Sequence, residues 1–137
     1  VDVDLSLDFL DFSPGTIDPA RSACLPYGYV EDEAHRMILH RRIAEAVALR
    51  EVRALRAELA DRYGRLPGPV ERLLRVTELR VAAAQKQLGR IETRENKAYL
   101  YRARERSPLL HRGHLPVLKG KDADARLASL LQAVQAL

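Results

Sequence analysis

Glu58-Leu59-Ala60-Asp61-Arg62-Tyr63-Gly64-Arg65-Leu66-Pro67-Gly68-Pro69 is the stretch on which the architecture turns. Leu59 and Tyr63 stand one helical turn apart, and the same spacing runs back through Leu55 and Val52. That predicts a helix from about Leu49 to Tyr63. Gly64 then supplies a C-cap with positive φ, which costs a glycine least. Leu66-Pro67-Gly68-Pro69 is a stiff turn, and Pro69 suits the first turn of a following helix. Two helices joined so closely are expected to lie antiparallel.

Working outward, Pro69 to about Leu88 predicts a third helix, with Val70, Leu73, Leu74, Thr77, Val81, Ala84 and Leu88 on one face and Gly89 as its stop. Upstream, a helix is expected from near Glu31 to about Val47, capped by Asp32. Its Met37, Ile38, Leu39, Ile43 and Val47 cover more than one narrow stripe. The helix should therefore be largely buried, with Arg41 and Arg42 at an exposed edge. Asp11 to Gly28 is irregular, broken by Pro14, Gly15, Pro19, Pro26 and Gly28. Tyr27, Tyr29 and Val30 are expected to pin its far end to the core.

At the two ends the period falls to two. Val1, Val3, Leu5, Leu7 and Phe9 alternate with Asp2, Asp4, Ser6 and Asp8, which predicts a half-buried strand with an acidic outer face. Ile91 to Arg94 and Ala98 to Arg102 flank Glu95-Asn96-Lys97 and read as a hairpin. Leu115 to Leu118 is a further strand candidate. Asp122 caps a last helix through Leu137, with Leu127, Leu130, Leu131 and Val134 on its apolar side. The expectation is a single α+β domain over residues 1–137, with helices packed on a small, mostly antiparallel sheet.

The 137 residues, 47% of them hydrophobic, suffice to bury a core without disulfides or metals. Cys24 is the lone cysteine, and the Val1-Asp2-Val3-Asp4 opening is unlike a signal peptide. No apolar run is long enough to span a bilayer. A cytoplasmic, membrane-free setting is the expectation. The net charge is +4 and the pI is about 9.5. The arginines that dominate this charge are interleaved with Glu and Asp along helices, the pattern of solvated helix faces.

Catalytic and metal motifs are missing. Gly113 and Gly120-Lys121 do not form a phosphate-binding loop, and Asp122 stands where Ser or Thr is needed. Cys24 reads as a small buried hydrophobe rather than a nucleophile. His111 and His114 would need further ligands to hold zinc, and His35, His40 and Cys24 stand at no recognised spacing. Asp2, Asp4 and Asp8 read as a solubilising row. Tyr99 and Tyr101 alternate with Leu100, but no basic cluster is evident around them for base stacking, and core and edge packing is expected. No catalytic residue, cofactor site or metal site is expected in this chain.

On the Leu49–Tyr63 helix, Glu51, Ala54, Glu58, Asp61, Arg62 and Arg65 fall opposite the apolar stripe. Glu58 and Arg62 are spaced for a local ion pair. Periodicity alone makes this a solvated face.

Leu25-Pro26-Tyr27-Gly28-Tyr29-Val30-Glu31-Asp32 resembles the I-P-x-x-Y-I-P-D opening of a known domain, and Arg36 and Arg42-Ile43-Ala44 continue the pattern. Glu58 to Pro67 resembles its E-L-x-D-R-F-G-x-L-P hallmark. Leu73-Leu74, Leu79-Arg80 and Gln87-Leu88-Gly89-Arg90-Ile91 fit as well. Together these resemble the carboxy-terminal (TRCF) domain of the bacterial transcription-repair coupling factor family, Mfd. The match runs from Leu25 to about Ile91. Glu31 stands for a proline and Tyr63 for a phenylalanine, the Asp11 to Ala23 loop is longer, and the tail after Ser107 is short.

The resemblance implies a non-catalytic regulatory domain of an ATP-driven DNA translocase that displaces stalled RNA polymerase and recruits UvrA for nucleotide excision repair. It implies docking on the UvrB-like module of the same polypeptide, which masks that module's UvrA-binding surface. ATP and Mg would then belong to the motor domains, and duplex DNA to the full-length protein. By position, the resemblance carries the docking role to Glu58, Asp61 and Arg62. Glu51 joins them from the helical wheel. The alternatives are a small basic nucleic-acid-binding module and a small hydrolase using Cys24 or a histidine.

Overall fold

A computed structural model describes residues 3–12 and 20–137. In chain order its elements are β1 (Asp4–Leu7), α1 (Glu33–Glu45), α2 (Leu49–Tyr63), α3 (Gly68–Gln85), β2 (Leu88–Arg94), β3 (Lys97–Arg102) and α4 (Ala123–Gln135). These make the fold α+β. The chain divides into two compact units, Asp11–Val81 and Val1–Leu10 with Ala82–Leu137.

The Asp11–Val81 unit is helical. Its core gathers Leu39 and Ile43 of α1, Val52, Leu55 and Leu59 of α2, and Val70 and Leu74 of α3, together with Leu25 and Val30 from the preceding loop. Asp32 caps α1, its carboxylate accepting from His35 N at 3.1 Å. That hydrogen bond chiefly, with the His35 charge, holds the Asp32 carboxyl below its usual pKa. α2 keeps the expected bounds and inward stripe. It ends at Gly64, whose φ of 90° and ψ of −168° lie in a region essentially confined to glycine.

α1 departs from expectation. Only Arg36, Leu39 and Ile43 are buried on it, while Met37 and Ile38 are exposed, as is Val47 just beyond its end. Two apolar residues and one buried arginine at helical spacing suffice to seat this helix. The sequence has apolar residues to spare, and burial alone does not explain them.

The loop before α1 is fastened by polar groups as much as by apolar ones. Arg36, itself buried, donates from Nη1 to the carbonyls of Pro26 and Val30, each at 3.1 Å, and from Nη2 to Leu25 O at 2.8 Å. The Tyr29 hydroxyl lies 3.1 Å from Leu59 O and 2.9 Å from Gly64 O, tying the loop to the end of α2. Burial first, then the Glu71 and Tyr63 charges, raise the Tyr29 pKa and keep that proton in place. Tyr27 does not pin the core as expected. It is 65% exposed, with the Arg36 guanidinium 4.3 Å over its ring. The part of the expected loop at residues 13–19 lies outside the described residues.

The second unit is built on a sheet ordered β1-β2-β3. β2 and β3 form the expected antiparallel hairpin. β1 joins β2 in parallel, Asp4 opposite Arg90 and Leu7 opposite Thr93. That geometry is open to it because the connection between them is long. Val3, Leu7 and Phe9 are buried and Asp4, Ser6 and Asp8 exposed, as the alternation requires. Val1 and Asp2 lie outside the described residues. Asp8 is more than a solubilising charge. Its carboxylate accepts from Thr93 Oγ1 at 2.8 Å and from Glu95 N at 2.8 Å, clamping the hairpin turn. Val117 bridges Lys97, extending this edge where a further strand was expected. α4, capped by Asp122 through Ala125 N at 2.7 Å, buries Leu127, Leu130 and Val134.

Gly89 does not stop α3. The helix ends at Gln85, Gln87 takes a left-handed φ of 62°, and Gly89 lies within β2 where the register shifts between Leu88 and Arg90. A Cβ there would meet Ala103 Cα at 3.0 Å, so a side chain at this irregularity would press on the facing backbone.

Candidate functional site

The four residues singled out on α2 have different surroundings. Glu58 is half-exposed and pairs across to Arg42 of α1. It does not pair with Arg62, as the spacing had implied. Glu51 accepts from Val47 N at 3.0 Å through its Oε2. That hydrogen bond fastens the start of α2, where Ala48 offers no side-chain cap. Arg42, Glu45, Glu51, Ala54 and Leu55 line a groove of about 360 Å³ between the two helices.

Asp61 and Arg62 are exposed, and neither has an ion pair or hydrogen-bonding side-chain partner among the described residues. Arg62 sits in the last turn of α2, where the helix dipole favours a cation. Asp61 shares that turn, and there the dipole opposes a carboxylate. Helix stability therefore does not account for Asp61. The structure brings Glu58, Asp61 and Arg62 onto one accessible stretch of α2 and gives Glu51 a structural bond at the other end.

Sequence reasoning missed two neighbours. Arg42 is the ion partner of Glu58, and Ile38 stands one turn before it on α1, 52% exposed. The i, i+4 spacing of Ile38 and Arg42 was the available signal. It was masked because Ile38 was counted among the buried apolar residues.

The remaining candidates have ordinary surroundings. Cys24 is buried, its Sγ 3.3 Å from Ser22 Oγ. His111 and His114 exchange backbone hydrogen bonds of 2.8 and 3.0 Å across a tight turn. Among the described residues no three His, Cys, Asp or Glu side chains converge to hold a metal, and no helix is long and apolar enough to cross a membrane.

The TRCF domain family model matches residues 20–110, more than half of the chain and the whole helical segment from the Leu25 loop through α3. The chain is a member of the TRCF domain family. The TRCF domain is 36% identical over 87 residues to a transcription-repair-coupling factor of Haemophilus influenzae, covering 64% of this chain and 8% of that protein. It is 45% identical over 65 residues to one of Mycobacterium bovis, covering 47% and 5%. With the Escherichia coli K12 protein it shares 30% over 90 residues, covering 66% and 8%. The matched segments thus cover less than a tenth of the length of these relatives. Its fold is similar to a crystal structure of the C-terminal domain of a transcription-repair coupling factor, with a TM-score of 0.70 and 17% identity over 98% of this chain and 95% of that one.

Proposed function

We propose that this TRCF domain is a non-catalytic docking domain. On this reading it closes on the UvrB-like module of its own polypeptide through the outer side of α2 and masks the surface that UvrA would bind. The observation that carries the reading is the exposed, unpaired Asp61 and Arg62, one turn from the Glu58–Arg42 pair. Ile38 supplies an exposed apolar anchor beside these charges, the combination expected of a small interface. ATP, Mg and RNA polymerase then belong to other parts of the full-length protein, which acts on duplex DNA in the cytoplasm.

Such a latch works although each contact is weak. An exposed ion pair contributes on the order of 0.2–1 kcal/mol. Tethering within one polypeptide supplies an effective concentration that on the order of millimolar affinity can use. A partner then opens the latch with a few kcal/mol of differential affinity, about the size of ordinary allosteric couplings. In trans, the isolated domain should bind the UvrB-like module weakly and lose affinity as salt rises. Asp61→Ala combined with Arg62→Ala should weaken that binding several-fold and leave the circular dichroism spectrum unchanged. Unaltered affinity in the folded double variant sinks the assignment.

A further inference from the structure

The β2–β3 hairpin carries a second charged surface, in the other compact unit. Ile91 and Leu100 face each other and are fully buried. Strand alternation places Arg90, Glu92 and Arg94 on the opposite face, with Tyr101 across from Arg90 and Tyr99 across from Glu92. The Arg90 guanidinium lies 4.1 Å over the Tyr101 ring and that of Arg94 4.7 Å over Tyr99. The tyrosines therefore do have basic residues around them, contrary to the sequence reading. Register, not sequence adjacency, brings these groups together.

Beyond β3 the chain turns, with Glu105 N bonded to Arg102 O at 3.0 Å and Arg104 at a left-handed φ of 69°. Arg90, Arg102, Arg104 and Arg106, with Glu105 and Tyr101, line a cavity of about 290 Å³. Arg90 Nε is buried without a hydrogen bond. The single Glu92 carboxylate is shared by Arg90 at 3.5 Å and Arg94 at 3.3 Å, which leaves these two guanidiniums with one positive charge in excess. Residues 86–106 hold seven Lys and Arg against three Glu, so this segment carries a net charge equal to the +4 of the entire chain.

We propose that this face binds the phosphodiester backbone of duplex DNA without reading its sequence. Planar guanidinium groups match phosphate oxygens, and resting on tyrosine rings holds two of them in place before binding. Those same guanidiniums cover the rings, which removes the stacking platform a single strand would use. Among the described residues, none of the large exposed apolar side chains lines the cavity. A protein partner would need such an apolar centre, whereas a phosphate backbone needs only placed positive charge. The proposal is independent of the α2 docking reading, and either can fail alone.

The test is fluorescence anisotropy of this chain on a random-sequence duplex of about 20 base pairs, between about 50 and 200 mM salt. Arg104→Glu with Arg106→Glu should cut affinity at least about tenfold and reduce the salt slope by roughly 2. Arg50→Glu with Arg53→Glu makes the same charge change on exposed positions of α2 and should cost less than about threefold. Circular dichroism establishes that both variants are folded. The proposal is overturned by absence of binding at the lowest salt, by equal losses in the two variants, or by polyglutamate competing as well as DNA.

Discussion

In the Asp11–Val81 unit the arginines with the most polar contacts turn inward, and in the sheet-bearing unit they lie at the surface. Arg36 gathers three loop carbonyls. Arg80 donates to Ile43 O at 2.6 Å and Ala46 O at 3.3 Å, satisfying the end of α1. Arg72 is buried and donates to Ser22 O at 2.7 Å. Arg90 and Arg94 instead rest on tyrosine rings. One residue type thus acts as a structural staple in the first unit, while in the second some arginines bond carbonyls, as Arg126 does to Gly120 O and Glu95 O, and others rest on tyrosine rings. A pI or an arginine count cannot separate the buried Arg36 and Arg72 from the ring-seated Arg90 and Arg94, whereas the surroundings of each guanidinium do.

The comparison predicts a hierarchy of stabilities. Arg36→Met should lower the unfolding free energy by roughly 3 kcal/mol in urea titration, because several buried carbonyls lose a charged donor together. A loss below about 1 kcal/mol would mean that the staple is dispensable. Gly64→Ala should cost roughly 2 kcal/mol, since its backbone angles exclude a side chain even though the space beside it is open. Arg94→Met should cost less than about 0.5 kcal/mol, as expected for an exposed guanidinium on a ring. Equal destabilisation by Arg36→Met and Arg94→Met would abolish the distinction.

The smallest expected effect is a pH dependence. His40 is held below the ordinary imidazole pKa, first by desolvation of its ring and then by the Arg36 charge. The unfolded chain therefore takes up this proton more readily than the folded one. Stability should fall as the pH drops through the unperturbed value of about 6.5 and level off below the folded value. His40→Gln should flatten that part of the stability profile, and an unchanged slope would assign it to another group.

Much of the helical unit was legible because its signals are local. The Val52, Leu55, Leu59 and Tyr63 spacing and Gly64 act within one or two turns and give α2 its bounds to the residue, and the Asp32 cap acts as locally at the start of α1. Arg36 and Arg80 were visible only through the family pattern, since their partners are carbonyls that any residue supplies. The exposure of Met37 and Ile38 was not legible, because an apolar residue looks the same whether it meets a core or a partner. Gly89 was misplaced because a glycine ending a helix and a glycine inside a bulge have the same sequence signature. On the α2 face, the positions of Asp61 and Arg62 were readable from the helical wheel. The partner of Glu58 was not, because Arg42 lies on another helix and competes with a local candidate, Arg62.

A crossed measurement bears most directly on the claim that the two units carry separate surfaces. The wild-type chain, the Asp61→Ala/Arg62→Ala variant and the Arg104→Glu/Arg106→Glu variant would each be titrated against two ligands, the UvrB-like module and a random-sequence duplex. The account predicts that the first variant loses affinity for the module and keeps it for DNA, and that the second does the reverse. Parallel losses on both ligands, or no loss on either, would contradict it.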